Sequence, residues 1–178
     1  TIVQPMRYRT ATTEDLDRLM KLYQAVARTE GGIARLEHEI TSEYVGSFLE
    51  KSLATGLIIV GENPDDENEL VAEIHAYKTG IQVFDHVLGD LTIVVHPNFQ
   101  GKKLGRTILT IFLEEVGRNR PEIGRVELIA RESNEKAIAL YQSLGFLIEG
   151  RLEMRIRTPD RHYEADIPMG WQNPNFDF

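Results

Sequence analysis

Cysteine is absent from this chain of 178 residues. Disulfide bonds, thiolate metal sites and a cysteine nucleophile are therefore excluded. No apolar stretch approaches the roughly 18 residues that a membrane span needs. Residues 1–9 also lack the basic and then apolar pattern of a signal peptide. We therefore expect a soluble, cytoplasmic protein with no membrane partner.

Positive charge is scarce, with 20 Lys and Arg against 28 Asp and Glu and a net charge of −8. Nucleic-acid binding needs clustered cations that contact phosphates, so this balance predicts no nucleic-acid partner. An acidic chain attracts a cationic substrate such as an amine, although solubility alone also explains the charge. The length is typical of one domain, and we expect residues 1–178 to form it.

Hydrophobic spacing predicts strands and helices in a mixed order. Strands are predicted at residues 2–9, 57–60, 70–77, 87–95 and 126–130, from 146 onward, and at 163–171. Helices are predicted after a cap at Thr12 or Thr13, at 41–53, at 104–119, and from a cap at Ser133 or Asn134 to Gly145. This order indicates an α/β fold, in which about four helices flank a mixed, mainly antiparallel central sheet of about six to seven strands.

The junction between strand 87–95 and helix 104–119 has the composition of a phosphate-binding loop. Gly101 and Gly105 permit a ligand to approach the backbone closely. Lys102, Lys103 and Arg106 concentrate positive charge at the start of the helix, where free N–H groups favour a diphosphate. The spacing of the two glycines does not fit a Walker loop, and Gly-x-Gly-x-x-Gly is absent. The alternative is a solvated basic turn at an ordinary helix start.

A second motif lies on the predicted helix that ends at Gly145. It reads Asn-x-x-Ala-x-x-x-Tyr-x-x-x-Gly-Phe, with Asn134 first and Tyr141 in the middle. Taken alone, Asn134 is more simply a helix cap and Tyr141 a core aromatic residue. Together with Val95-His96-Pro97 and the loop Gln100-Gly101-Lys102-Lys103-Leu104-Gly105, however, the motif resembles the GCN5-related N-acetyltransferase (GNAT) superfamily. Lys103 replaces the middle glycine of that pattern, a departure that could alter the loop conformation.

The resemblance implies the GNAT fold and an enzyme that transfers the acetyl group of acetyl-CoA to a primary amine by direct attack, without a metal. The amine is a small molecule, a protein N-terminus or a lysine side chain. Tyr141 is implied as the acid that protonates the leaving thiolate. An amide of Val94 or Val95 is implied to polarise the thioester carbonyl. The implied cofactor-binding residues are Ile93, Val94, Val95, Gln100, Gly101, Lys102, Lys103, Leu104, Gly105, Arg106, Asn134 and Tyr141.

A base must also deprotonate the amine, and the candidates are Glu73, His75 and Asp90. Alternation along a strand puts Glu73 and His75 on one face of theirs, and Asp90 on the same face as Thr92. We favour Glu73, while a solvated strand-face charge or a chain of waters remains the alternative.

Two other functions stay open from the sequence. One is a non-catalytic domain that binds or senses acyl-CoA, and the other is an interaction module with no cofactor. The aromatic end of the chain is expected either to pack on its own domain or to form a homodimer; its residues are Trp171, Phe176 and Phe178.

Overall fold

The computed structural model describes residues 5–178, which contain eight strands and four α-helices. The strands are β1 (Arg7–Thr10), β2 (Leu57–Asn63), β3 (Asp66–Tyr77), β4 (Val87–Val95), β5 (Arg125–Arg131), β6 (Leu147–Ile148), β7 (Leu152–Arg157) and β8 (Tyr163–Gln172). The helices are α1 (Leu16–Ala27), α2 (Ser42–Thr55), α3 (Leu104–Asn119) and α4 (Glu135–Ser143). The predicted first strand thus starts later, and its residues 2–4 lie outside the described residues.

The chain divides into two compact units. The first consists of the described residues up to Tyr77 together with Thr92–Leu113, and the second of Lys78–Leu91 together with Glu114–Phe178. Strand β4 therefore contributes its second half to the first unit and its first half to the second. That residues 1–178 form one domain stays a prediction.

In the first unit, the strand order is β1-β2-β3-β4, and β2 pairs antiparallel with both β1 and β3. Thr12 accepts a hydrogen bond from the N–H of Glu14 and so caps the short turn that leads into α1, as expected from the sequence. Helices α1 and α2 bury their apolar stripes against the strands; the largest of these core side chains are Leu19, Leu22, Tyr23, Phe48, Leu49, Ile58 and Leu70.

Helix α2 ends at Thr55 and is followed by Gly56, where a side chain does not fit. A Cβ atom at Gly56 would lie 1.9 Å from the carbonyl oxygen of Ala76 on β3. The N–H of Gly56 still donates to the carbonyl of Ser52, which closes the last turn of the helix. The glycine thus lets the chain pass from α2 into β2 in direct contact with β3.

In the second unit, β4 runs parallel to β5, and β5 pairs antiparallel with β8 along its whole length. Strands β6 and β7 both pair with β8, so the single strand predicted from residue 146 onward is divided in two. This division gives eight strands instead of six or seven. The mixed, mainly antiparallel architecture is confirmed.

Strand β4 contains an irregularity at Asp90, whose φ of 53° is in the left-handed region. A non-glycine residue with this backbone is uncommon in a strand, and it interrupts the regular alternation of side chains. The alternation that placed Asp90 on the same face as Thr92 therefore does not hold through this residue.

Candidate active site

Hydrogen bonds fold the loop between β4 and α3 against β3. The N–H of His96 donates to the carbonyl of Val71 on β3, at 2.8 Å. The side-chain amide of Gln100 donates to the carbonyl of Val95 at 2.9 Å, and the N–H of Asn98 donates to Nδ1 of His96 at 3.1 Å. The position of the loop is therefore fixed by the strand beside it.

Two residues of this loop have left-handed backbones, Gly101 with φ 77° and Lys103 with φ 60°. A Cβ atom at Gly101 would meet nothing within 4 Å, so backbone conformation alone favours glycine there. Lys103 occupies the position where the GNAT pattern usually has its middle glycine. The lysine thus adopts a backbone that favours glycine, at a cost in conformational free energy.

The start of α3 is suited to a diphosphate. The N–H of Thr107 donates to the carbonyl of Lys103 at 3.0 Å, so the N–H groups of the first helical turn precede this bond and have no acceptor within the helix. Lys102 and Lys103 are both exposed beside them. Backbone donors, the positive end of the helix dipole and two cations therefore coincide, which is the chemistry that binds phosphates.

The second motif forms α4 in the second unit. Asn134 caps this helix, because its Oδ1 accepts from the N–H of Ala137 at 3.2 Å. The simpler interpretation of Asn134 is therefore correct, and its exposed position leaves the amide NH₂ available as a donor.

Tyr141 is a partly buried residue of α4 whose ring centroid lies 5.8 Å from that of Phe146. Burial raises the pKa of Tyr141 to about 12. The hydroxyl therefore remains protonated throughout the neutral and moderately alkaline range. A protonated phenol is what an acid that serves a leaving thiolate requires.

Glu73 and His75 lie on the same face of β3, as predicted, and they form a buried cluster with Tyr23 of α1. The Tyr23 hydroxyl donates to Oε2 of Glu73, and Nδ1 of His75 lies 2.6 Å from Oε1. Burial, together with the charge of Glu73, raises the pKa of Tyr23 well above its ordinary value. The imidazole of His75 stacks on Phe48 of α2, with 4.1 Å between ring centroids.

Sequence reasoning did not find Tyr23 or Phe48. Both occupy positions of the apolar stripes on α1 and α2, and nothing in that spacing distinguishes a core aromatic residue from a hydrogen-bond donor. Asp90, the third candidate base, is an exposed residue of the second unit.

A scan against protein families matches residues 16–146 to the model described as the acetyltransferase (GNAT) family. The chain belongs to this family. A relative among curated proteins is spermidine N(1)-acetyltransferase of Escherichia coli strain K12, 30% identical over 91 residues that make up 48% of each protein. This member of the GNAT family thus spans about half the length of the curated relatives that it matches.

Solved structures share the fold of this GNAT chain. A GNAT-family acetyltransferase from Streptococcus pneumoniae superposes with a TM-score of 0.82 and 20% identity, covering 94% of this chain and 99% of the other. A phosphinothricin acetyltransferase from Sinorhizobium meliloti, in complex with acetyl-CoA, superposes with a TM-score of 0.81 and 14% identity, covering 96% and 90%. At these identities, the likeness shows the fold.

Within residues 5–178, no group of three or more carboxylate or imidazole side chains is arranged to hold a metal ion. Over the same residues, no helix is both long and apolar enough to cross a membrane.

Proposed function

We propose that this GNAT-family chain transfers the acetyl group of acetyl-CoA to a primary amine. One observation carries the proposal: two left-handed residues, Gly101 and Lys103, precede α3, whose first N–H groups have no acceptor within the helix and lie beside two exposed lysines. The site is built for a diphosphate such as that of coenzyme A. Family membership makes acetyl-CoA the natural occupant.

The residues from the end of β4 to the start of α3 would bind acetyl-CoA. The amides from Gln100 to Arg106 would hold the diphosphate, and the backbone of Ile93, Val94 and Val95 would pair with the pantetheine arm. The amide of Asn134 would contact the same arm. These assignments use backbone groups for the most part, so they do not depend on the side chain at position 103.

The chemistry would proceed by direct attack, since the chain has no cysteine to carry the acetyl group. A base first removes a proton from the ammonium form of the acceptor, and Glu73 or its hydrogen-bonded partners would supply this base. The neutral amine then attacks the thioester carbonyl, while an amide of Val94 or Val95 stabilises the oxyanion. The C–S bond breaks, and Tyr141 donates its proton to the departing sulfur. The nitrogen loses its second proton to water as the amide forms, and water returns a proton to the Tyr141 oxygen.

For the acceptor, we propose a small cationic amine of the polyamine type. The net charge of −8 favours the approach of such a substrate. The matched relative from Escherichia coli is named for spermidine, although the match covers only 48% of either chain. A homodimer stays a prediction.

The test is an acetylation assay that pairs a panel of amines with acetyl-CoA, run on wild type, Tyr141→Phe and Tyr8→Phe. Tyr8 is a matched control on β1, because burial raises its pKa as well. Loss of the acid should lower kcat of Tyr141→Phe about 100-fold or more, at pH 7 and pH 10 alike, whereas Tyr8→Phe should retain activity.

Acetyl-CoA at 100 times its dissociation constant should stabilise wild type and Tyr141→Phe alike, by about 2.7 kcal/mol. Stabilisation without thioester consumption for any amine would instead establish the non-catalytic acyl-CoA-binding function. No stabilisation at all would remove the cofactor assignment.

A further inference from the structure

In the buried cluster of Tyr23, Glu73 and His75, hydrogen bonds and burial distinguish the roles of the two candidate bases. We propose that Nε2 of His75, and not the carboxylate of Glu73, accepts the proton of the attacking amine. Glu73 and Tyr23 are then positioning residues that hold the imidazole. This inference rests on the proposed acetyl transfer and names the atom that starts it.

Both oxygens of the Glu73 carboxylate have a partner, and its side chain is fully enclosed. Its side chain has 0% exposure, Tyr23 donates to one oxygen, and His75 lies against the other. An amine that approached this carboxylate would have to displace one of these partners inside the core. Only the side chain of His75 retains some exposure in this cluster, at 4%.

Hydrogen bonding fixes which nitrogen of His75 is available. Because the phenol of Tyr23 donates to Glu73, the carboxylate is an acceptor, and its second oxygen accepts from Nδ1–H at 2.6 Å. The Tyr23 oxygen is farther from Nδ1, at 3.4 Å, which leaves Glu73 as the main partner of that nitrogen. The neutral imidazole therefore carries its hydrogen on Nδ1 and has its lone pair on Nε2.

Aromatic packing holds the plane of the ring. His75 is parallel to Phe48 within 4°, and to Tyr77 within 5° at a centroid distance of 6.1 Å. Stacking on Phe48 and the hydrogen bond to Glu73 both oppose rotation of the ring, so the direction of Nε2 is set before a substrate arrives. Preorganisation of this kind is what a base needs to act at a fixed distance.

The cluster lies beside the strand segment that would hold the thioester. The N–H of His96, at the end of β4, bonds to the carbonyl of Val71 on β3. Glu73 is two residues from Val71 along β3, or roughly 7 Å at the rise of a strand. The proton acceptor and the amides of Val94 and Val95 are therefore on neighbouring strands of the same unit.

The Glu73 carboxylate is the charged group in direct contact with His75. Two cations lie farther out, beyond the aromatic rings that surround the cluster. These are Arg35, 3.7 Å from the ring centroid of Tyr44, and Lys51, 5.4 Å from that of Tyr77.

The proton transfer balances. Nε2 takes a proton from the ammonium, directly or through one water, to give an imidazolium beside the Glu73 carboxylate and a neutral amine. The amine attacks the thioester, and its nitrogen loses a second proton to water as the amide forms, which offsets the proton that Tyr141 gives to the sulfur. The imidazolium later returns its proton to water.

The kinetic test compares His75→Phe and Glu73→Gln with a matched control, Glu62→Gln. Glu62 is a buried carboxylate on β2, but its partner is Arg9, at 2.6 Å. His75→Phe preserves the stacking and should lower kcat about 100-fold at pH 7, with KM for acetyl-CoA unchanged. Without His75, the variant depends on acceptor amine that is already neutral in solution. The activity of His75→Phe should therefore rise about tenfold per pH unit, up to an amine pKa of about 10.4. Glu62→Gln should show neither effect.

A spectroscopic test starts from the wild-type protein, which needs no substitution at His75. In ¹⁵N spectra of the wild-type protein at alkaline pH, His75 should show a protonated Nδ1 and a bare Nε2. Glu73→Gln should lose this single tautomer, and its kcat should fall while its KM for acetyl-CoA stays constant.

The two levels of the proposal fail separately. An active wild type whose His75→Phe variant keeps its kcat at pH 7, or whose Nδ1 carries no hydrogen, would overturn the role of His75 and leave acetyl transfer intact. A wild type that acetylates no amine would overturn the proposed function itself, and the role of His75 with it.

Discussion

The left-handed backbone of Lys103 yields a prediction that separates conformation from charge. Replacing Lys103 by glycine or by alanine removes the same charge, but only glycine adopts φ of 60° without a steric cost. A non-glycine residue in this conformation costs about 1–2 kcal/mol, and glycine loses about 0.4–1 kcal/mol relative to alanine through the entropy of the unfolded chain. Lys103→Gly should therefore be more stable than Lys103→Ala by about 0.5–1 kcal/mol, the difference between those two costs.

Thermal unfolding of both variants measures this difference. For a chain of 178 residues, 1 kcal/mol shifts Tm by about 2–4 °C, so Lys103→Gly should melt about 1–4 °C above Lys103→Ala. Lys102 is the control position, because its backbone φ is not positive. There the order should reverse, with Lys102→Ala the more stable of the pair.

Acetyl-CoA binding supplies the second half of the test. If the lysines attract the diphosphate, all four variants should bind acetyl-CoA more weakly than wild type, and the loss should shrink at high salt. Equal stability of Lys103→Gly and Lys103→Ala, or alanine the more stable of the two, would refute the conformational reasoning. Unchanged affinity in all four would refute the electrostatic part.

Three further predictions concern stability. Gly46→Ala should stabilise the chain by about 1 kcal/mol, since Gly46 lies inside α2 with open space around it. Gly56→Ala should instead destabilise it and lower Tm, because its Cβ would meet the Ala76 carbonyl. Denaturant titration measures both free energies of unfolding, and changes of the same sign in the two variants would contradict the prediction. Ser52→Ala should raise the free energy of unfolding by about 1 kcal/mol, because the buried Ser52 hydroxyl has no partner within residues 5–178. A denaturant titration in which the variant is less stable than wild type would contradict this. Burial opposes ionisation of Asp15, but the Arg9 hydrogen bonds prevail and hold its pKa below 3.8. The ionised Asp15 carboxylate therefore stabilises the fold fully above pH 3.8, and this stabilisation is lost as the pH falls through the lowered native pKa. Asp15→Asn should cost about 3 kcal/mol at pH 7. The difference in Tm between wild type and Asp15→Asn should narrow below about pH 4. A gap independent of pH would contradict it.

Most of the fold could be predicted from the sequence, because hydrophobic period and helix caps are local signals. Helix α3 and strand β4 have the predicted bounds, and Thr12 and Asn134 cap their helices. The division of β6 from β7 could not be predicted, since it depends on which residues of β8 each segment pairs with. A pairing partner far away in sequence leaves no trace in the spacing of apolar residues.

The candidate site divides in the same way. The loop from Gln100 to Gly105 could be found from its glycines and lysines, since a phosphate site made from backbone amides is continuous in sequence. The proximity of His75 to Glu73 could be predicted from strand alternation, but Tyr23 could not be found as a partner, because it reaches Glu73 from another element, 50 residues earlier. The irregularity at Asp90 was not predicted, because the apolar and β-branched residues on both sides of Gly89-Asp90 indicate one continuous strand.

Strand β3 holds the loop after β4 and also carries two residues of the buried cluster, so both depend on its register. Its carbonyl at Val71 anchors the loop after β4, and its side chains at Glu73 and His75 point toward α1 and α2. Inserting one residue between Val71 and Glu73 would turn both side chains to the opposite face while the anchor stayed in place. Within the five residues from Val71 to His75, the sequence can therefore exchange side chains but cannot gain or lose a single residue without separating the anchor from the cluster.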